Sequence, residues 1–295
     1  MRSLLRALVV VLAVTVAGTT LPTMAEPAGL QPPADEGSLD VARATARTPT
    51  ETAVHEAAKP STLVRPARKK KRPRPLRSTT IVLDPGHQLG NARYPRQINT
   101  LVPAGGFTKP CNSTGTATNS GVAEATVNFQ LSRDVRKRLR RLGARVVMTR
   151  SVNSQRRWGP CVDERGQFGS RVGARLTVSL HADGSAASAR GFHVIAPTDR
   201  APWTSDIAAS SLRLATSLRN GLTAAGIPRS NYTGAGTGLN VRDDLGTLNM
   251  SDVPVAMIEI GNMRNTGDAR RMTSRSGRAQ YAMAVVRGIR TFLGR

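Results

Sequence analysis

The sequence predicts a single α/β domain with a mostly parallel twisted sheet flanked by helices and a ligand site at the carboxyl ends of the strands. Three observations carry this expectation. Short β-branched or apolar runs, Thr79-Thr-Ile-Val-Leu83, Leu176-Thr-Val-Ser-Leu180 and Val253-Pro-Val-Ala-Met-Ile258, alternate with long stretches of helical periodicity. Runs so short and apolar suit strands buried on both faces, as in a parallel sheet. Each run also leads into a polar residue, His87, His181 and Glu259. In an open α/β sheet, ligands bind where the strands end, so parallel neighbours would bring these three side chains together.

The elements follow in order. A strand at 79–83 ends in the turn Asp84-Pro-Gly86. The segment 88–120 is rich in Gly, Asn, Thr and Pro and is too long for an ordinary loop. It must leave His87 and return beside the same site, so a flap or short hairpin that includes Leu101–Phe107 is expected to border the groove. A helix at 123–142 carries Asn128, Leu131, Val135, Leu139 and Leu142 on one stripe and Arg133, Arg136, Lys137, Arg140 and Arg141 on the other. Gly143 ends it as a C-cap. A strand at 145–149, a helix within 162–175 and a strand at 176–180 come next. A strand at 191–196, a helix at 206–225, an irregular segment at 228–249, a strand at 254–259 and a helix at 268–292 complete the pattern. His193 falls mid-strand and reads as structural or exposed.

Glu124 lies on the buried stripe, at the start of the helix that follows the first strand, so it points where His87 and His181 point. Two histidines and one carboxylate are a known ligand set for catalytic zinc, with water in the open position. Taken singly, each residue has an ordinary reading: a hydrogen-bonded histidine, a first-turn glutamate that favours the helix dipole, a strand-end cap. Together they are costly to bury without a compensating ion. That makes His87, Glu124 and His181 candidate Zn2+ ligands and leaves Glu259 as a fourth candidate residue of the same site.

The amino terminus reads as an export signal over 1–25: a basic start at Arg2 and Arg6, an apolar run from Leu8 to Ala17, and a small-residue cleavage site, Thr23-Met-Ala25. The expected location is the periplasm, cell wall or extracellular space. Residues 26–78 are rich in Pro, Ala, Thr and charge and read as a disordered Pro-rich basic linker, which leaves 79–295 as the catalytic domain. Arg65–Arg77 holds eight basic residues, either a solvated tether or an electrostatic anchor to anionic wall polymers or a membrane surface. Export makes the two cysteines a candidate disulfide, Cys111 with Cys161. The net charge is +24, of which residues 78–295 contribute +17. Such a field favours anionic partners, but an exported protein seldom meets nucleic acid, so none is expected. A monomer is expected.

The segments Ile81-Val-Leu-Asp-Pro-Gly-His87, the Glu124 helix, Gly143-Ala-Arg-Val-Val-Met-Thr-Arg150, Val178-Ser-Leu-His-Ala-Asp183 and Ile258-Glu-Ile-Gly-Asn262 resemble, in order and spacing, the zinc-dependent N-acetylmuramoyl-L-alanine amidases of bacteria. The resemblance covers about residues 79–293. It implies a zinc amidase that acts on peptidoglycan or muropeptides and cleaves the bond between N-acetylmuramic acid and L-alanine. It implies that His87, Glu124 and His181 hold zinc and that Glu259 is catalytic. The alternatives are a zinc peptidase acting within the stem peptide, and a non-catalytic wall-binding relative, which would be expected to lack ligands or base. The family pattern has Asn where this chain has Asp183, and Ala-Asn where it has Gly169-Ser170. Asp84 is either a hydrogen-bond partner of a ligand imidazole or a plain turn residue. Arg165 either orients the stem peptide or stabilises the fold.

Overall fold

Residues 73–295 are described by the structure, a computed structural model. The expected export signal, 1–25, and the expected linker up to residue 72 lie outside the described residues. The strands are β1 (Thr80–Pro85), β2 (Leu101–Pro103), β3 (Thr108–Pro110), β4 (Arg145–Met148), β5 (Thr177–Asp183), β6 (His193–Pro197), β7 (Leu239–Arg242) and β8 (Val255–Asn262). The α-helices are α1 (Pro95–Asn99), α2 (Glu124–Arg141), α3 (Val162–Arg171), α4 (Ala208–Ala224), α5 (Gly246–Asn249), α6 (Thr266–Thr273) and α7 (Arg275–Phe292).

Six strands form one sheet in the order β4-β1-β5-β8-β6-β7. β4, β1, β5 and β8 run parallel, β6 is antiparallel to β8, and β7 is parallel to β6. The fold is therefore the α/β architecture the sequence predicts. Side chains alternate along a strand, so Val178, Leu180 and Ala182 of β5 share one face while Thr177, Ser179, His181 and Asp183 share the other. The apolar face meets Val127, Leu131, Val135 and Leu139 of α2, which recur every fourth residue, with Leu214 and Leu218 of α4 and Tyr281, Val285 and Ile289 of α7. Burying each such aliphatic side chain contributes about 1.5–3 kcal/mol. The opposite face carries a smaller apolar cluster, Ile195, Ile207, Leu248, Val255 and Met257. Its polar remainder is free to build a site.

Four local differences from the sequence expectation have physical causes. The linker does not extend to residue 78, because Leu76 is fully buried in the core and its backbone N–H donates to Leu142 O at 3.0 Å. The segment expected as one helix over 268–292 is two. Ser274 is extended at φ −75°, ψ 150°, and its hydroxyl accepts from Gly277 N, which starts α7 afresh. A side chain at Gly277 would place Cβ 2.0 Å from Arg271 O, so the break needs glycine there. The segment 228–249 contains β7, a four-residue edge strand too short to show a period. The segment 88–120 contains α1 and the hairpin β2–β3, but its groove-lining residues include Ile98, Asn99, Lys109 and Pro110 and none of Leu101–Phe107, because the hairpin tip packs on Asn249 instead. The hairpin is fastened rather than free: Asn249 Nδ2 donates to Ala104 O at 2.9 Å, and Lys109 Nζ donates to Asp244 O at 2.7 Å. Among the described residues, no helix is long and apolar enough to cross a membrane.

Cys111 and Cys161 are disulfide-bonded across a separation of 50 residues. The bridge joins the strand-exit loop after β3 to the first residue before α3. Chain-entropy arguments assign a loop of this length about 4 kcal/mol. Thiol labelling of the denatured, unreduced protein should find no free cysteine, and reduction should lower the urea midpoint; two labelled thiols would refute the bridge.

Candidate metal centre

β1 ends at Pro85, and the turn that follows puts His87 in a left-handed backbone conformation at φ 57°. β5 presents His181, paired in register with Glu259 of β8. α2 begins at Glu124, whose side chain is buried. His87 Nε2 lies 3.2 Å from Glu124 Oε2, and His181 Nδ1 lies 3.1 Å from Glu124 Oε1. One ligand atom from each of the three residues falls within 4.8 Å of the others, so the group can hold a metal ion. Ligand atoms around tetrahedral zinc stand about 3.3 Å apart, which matches the spacing of His87 Nε2 from Glu124 Oε2.

The hydrogen bonding of His87 tests whether an ion fits. Its Nδ1 is 3.0 Å from Ser113 O, a carbonyl that can only accept, so the ring proton of neutral His87 sits on Nδ1. Nε2 then turns a lone pair toward the Glu124 carboxylate. Two electron-pair donors face each other there, an arrangement that a cation between them converts from repulsive to attractive. Burial pushes the Glu124 carboxyl up, but positive charge on the His87 and His181 rings, when they are protonated, more than reverses this and holds it well below the usual carboxylate range; a cation among the three side chains would act in the same direction. The backbone N–H groups of Thr116 and Ala182 and Asn128 Nδ2 also donate to Glu124, at 3.0, 3.1 and 3.1 Å. A Cβ on Gly115, whose φ is 76°, would sit 2.8 Å from Glu124 Oε2 and 2.9 Å from the His87 ring. Only glycine lets the loop close over the ligands.

Two buried guanidiniums hold the turn before His87. Arg165 Nη1 and Nη2 donate to Pro85 O and His87 O, each at 3.0 Å. Arg150 donates to Pro85 O, Gly86 O and Ala125 O at 2.9, 3.2 and 2.8 Å. Asp84, fully buried, is their counter-charge. It pairs with Arg165 and accepts from Thr149 and Ser179. It makes no bond to a ligand imidazole, so the first of its two expected roles is replaced: it fixes the arginine that grips the His87 backbone. Arg165 correspondingly stabilises the fold at the site. Burial alone would raise the Asp84 carboxyl; Arg165 and then the two hydroxyls lower it below its ordinary value.

Glu259 lines the same cleft of about 810 Å³ as His87, Glu124 and His181. Its Oε2 is buried and has no hydrogen-bond partner among the described residues. Burial, reinforced by the Asp183 and Glu124 carboxylates and opposed by Arg242, pushes its carboxyl well above the usual range. Asp183 also lines the cleft, and its Oδ2 accepts from Tyr232 OH at 2.6 Å. His193 is buried with Nδ1 3.6 Å from Asp183 Oδ2, which makes it structural rather than exposed. Gly169 stands where a Cβ would fall 2.5 Å from Val253 Cγ2, and Ser170 donates to Asp252 Oδ2 at 2.8 Å. All four site residues of the sequence expectation are thus in one cleft. Tyr232, Arg150 and Asn128 carry no site role in the sequence expectation, which places 88–120 beside the site without singling out Gly115. Asn128 was legible as a polar residue on an apolar helical stripe, four residues after Glu124; the others give no local signal.

The profile of the N-acetylmuramoyl-L-alanine amidase family matches residues 81–291. The N-acetylmuramoyl-L-alanine amidase Rv3717 of Mycobacterium tuberculosis is 40% identical over 224 residues, 75% of this chain and 89% of that protein. The solved N-acetylmuramyl-L-alanine amidase Ami1 of Mycobacterium smegmatis superposes with a TM-score of 0.69 at 38% identity, covering 74% of this chain and 98% of that one. Ami1 of Mycobacterium abscessus gives the same TM-score of 0.69 at 39% identity, covering 74% and 99%.

Asp84→Ala would leave Arg165 buried without its partner, a loss of about 3–5 kcal/mol. The depressed carboxyl stabilises the fold above its unfolded-state pKa of about 4, and this contribution fades as pH falls below that value. Urea unfolding at pH 7 should show the full loss, with a smaller gap between variant and parent at pH 3. Equal stability at pH 7 would remove Asp84 from its supporting role.

Proposed function

The chain belongs to the N-acetylmuramoyl-L-alanine amidase family, and on that premise we propose that His87, Glu124 and His181 hold one zinc ion while Glu259 moves the protons of the reaction. The enzyme hydrolyses the amide between N-acetylmuramic acid and L-alanine in peptidoglycan. Water adds its oxygen to the carbonyl carbon, and the carbon–nitrogen bond breaks to leave a carboxylic acid and the stem-peptide amine.

When bound, the ion supplies Lewis-acid polarisation of the amide carbonyl and makes a nearby water more acidic. The chain's own residues do the rest. Ser113 O fixes the His87 tautomer so that Nε2 faces the ion's place. Glu259, with one carboxylate oxygen unpartnered in the cleft, accepts the proton of the attacking water and returns it to the departing nitrogen. Burial beside acidic neighbours raises its affinity for a proton above that of an ordinary carboxylate, which suits a group that must take one from water. That unpaired carboxylate beside the His-Glu-His group is the observation that carries the reading. Lys109 and Pro110 of β3, the Asn112–Thr116 loop and Leu245–Thr247 line the cleft around the four residues.

The signal-like amino terminus supports export, and the disulfide fits an oxidising compartment. The basic run Arg65–Arg77 supports electrostatic anchoring of the exported enzyme at the wall or membrane surface.

Purified protein should contain about one zinc per chain and lose activity with a chelator. His87→Ala and His181→Ala should lose the metal; undiminished activity in metal-free protein would contradict the reading. Glu259→Gln should retain zinc and fold but lose about a hundredfold to ten-thousandfold in turnover. If Glu259→Gln loses zinc instead, Glu259 is a ligand rather than the base. Mass spectrometry of digested muropeptides should find free stem peptide with an intact L-alanine amino end. Shortened stems still joined to the sugar would identify a peptidase.

A further inference from the structure

A second depression, of about 900 Å³, lies at the far end of α2 from the metal centre, lined by Arg138, Arg141 and Leu142 together with Arg287 and Arg290 of α7. A third, of about 620 Å³, shares Arg141 with it and is lined by Arg133, Arg136, Lys137 and Arg140. The two make one continuous basic ledge. Its acidic content among the lining residues is Asp134, 3.8 Å from Arg278. Helix-dipole stabilisation accounts for cations in the last turn of α2, at Arg138, Arg140 and Arg141. It does not account for Arg133, Arg136 and Lys137, which sit one to two turns earlier. Arg136 Nε is buried without a hydrogen-bond partner. Burial and the like charges of Arg140 and Arg133 pull the Arg136 guanidinium down from its ordinary value. The ledge is a concentration of positive charge that, among the described residues, only Asp134 offsets.

We propose that this ledge binds a linear polyanion of the wall, a phosphodiester or uronate polymer, and so holds the catalytic domain on its substrate without occupying the cleft. That the polymer belongs to the wall rests on the amidase reading; the polyanion site itself does not. Three features favour a polymer over a bilayer. The cations line adjoining grooves along a helix, which suits a chain of regularly spaced charges. Met283 is the one large apolar side chain exposed among the lining residues, and no aromatic lines either groove. The exposed tryptophans lie elsewhere, Trp158 against Tyr94 and Trp203 beside Gly106 of the hairpin. Glu124 and Arg141 are separated by the length of α2, about 25 Å at 1.5 Å per residue, so polymer and substrate do not compete.

The test uses the full chain and its variant Lys137→Gln/Arg141→Gln/Arg287→Gln/Arg290→Gln. All four side chains are exposed and belong neither to the metal centre nor to the cleft. Binding to inorganic polyphosphate, to polygalacturonate and to vesicles containing phosphatidylglycerol is measured across a salt series, alongside unfolding midpoint and turnover of a soluble muropeptide. The variant should bind the two polymers about tenfold or more weakly at low salt and show a shallower fall of log affinity with log salt, since fewer counterions are released. Turnover and midpoint should be unchanged, so the result stands whether or not the zinc reading does. Equal polymer affinity and salt slope would place polyanion binding in the linker and overturn the proposal. A variant that loses vesicle binding but not polymer binding would make the ledge a membrane surface and overturn it equally.

Discussion

His87 and Glu124 turn electron pairs toward each other across 3.2 Å, and much of the domain is arranged to keep them there. A buried carboxylate is tolerated only when its lone pairs are met. Glu124 is met by His181, Asn128 and the backbone of Ala182 at one oxygen, and by the backbone of Thr116 at the other, where His87 also faces it. These partners come from β5, from α2 itself and from the loop before it. The carboxylate therefore fixes where α2 begins, how the loop around Gly115 folds back, and how far β5 extends. A cation completes the arrangement electrostatically, because the neutral His87 ring has already spent its proton on Ser113 O.

The same sheet end holds three carboxylates in different states. Glu124 is lowered by imidazoles, Asp84 by a guanidinium and two hydroxyls, and Glu259 is raised by burial beside its acidic neighbours. Environment thus sets apart the proposed ligand, a structural counter-ion and the proposed proton carrier among chemically similar side chains. Asp84 matters through Arg165, which grips the carbonyls of Pro85 and His87 and so supports the left-handed turn that aims the imidazole. Catalytic geometry and fold stability share these few buried charges, so neither can be altered independently near β1.

The parallel sheet was legible because β1, β5 and β8 are apolar runs that each lead into a chemically distinctive residue. Glu124 was legible from helical phase, and the disulfide from an even cysteine count in a chain whose amino terminus reads as an export signal. What escaped the sequence was set by tertiary contact. Leu76 is one apolar residue in a Pro- and Arg-rich stretch, and only its packing beside Leu142 makes it core. Ser274 looks like one more polar position in a helical pattern until Gly277 meets Arg271 O and the helix restarts. Asp84 sits three residues from His87, yet its partners Thr149, Arg165 and Ser179 are 65 to 95 positions away. Proximity in the chain suggested an imidazole partner, and the fold supplied a guanidinium.

X-ray absorption at the zinc edge of metal-loaded protein tests the central claim most directly. The account predicts a low-atomic-number first shell at about 2.0–2.1 Å, with the multiple-scattering signature of two imidazoles. Replacing Glu124 by Gln should alter that shell while both imidazole signatures persist. A spectrum without imidazole scattering, or one with sulfur in the first shell, would contradict it.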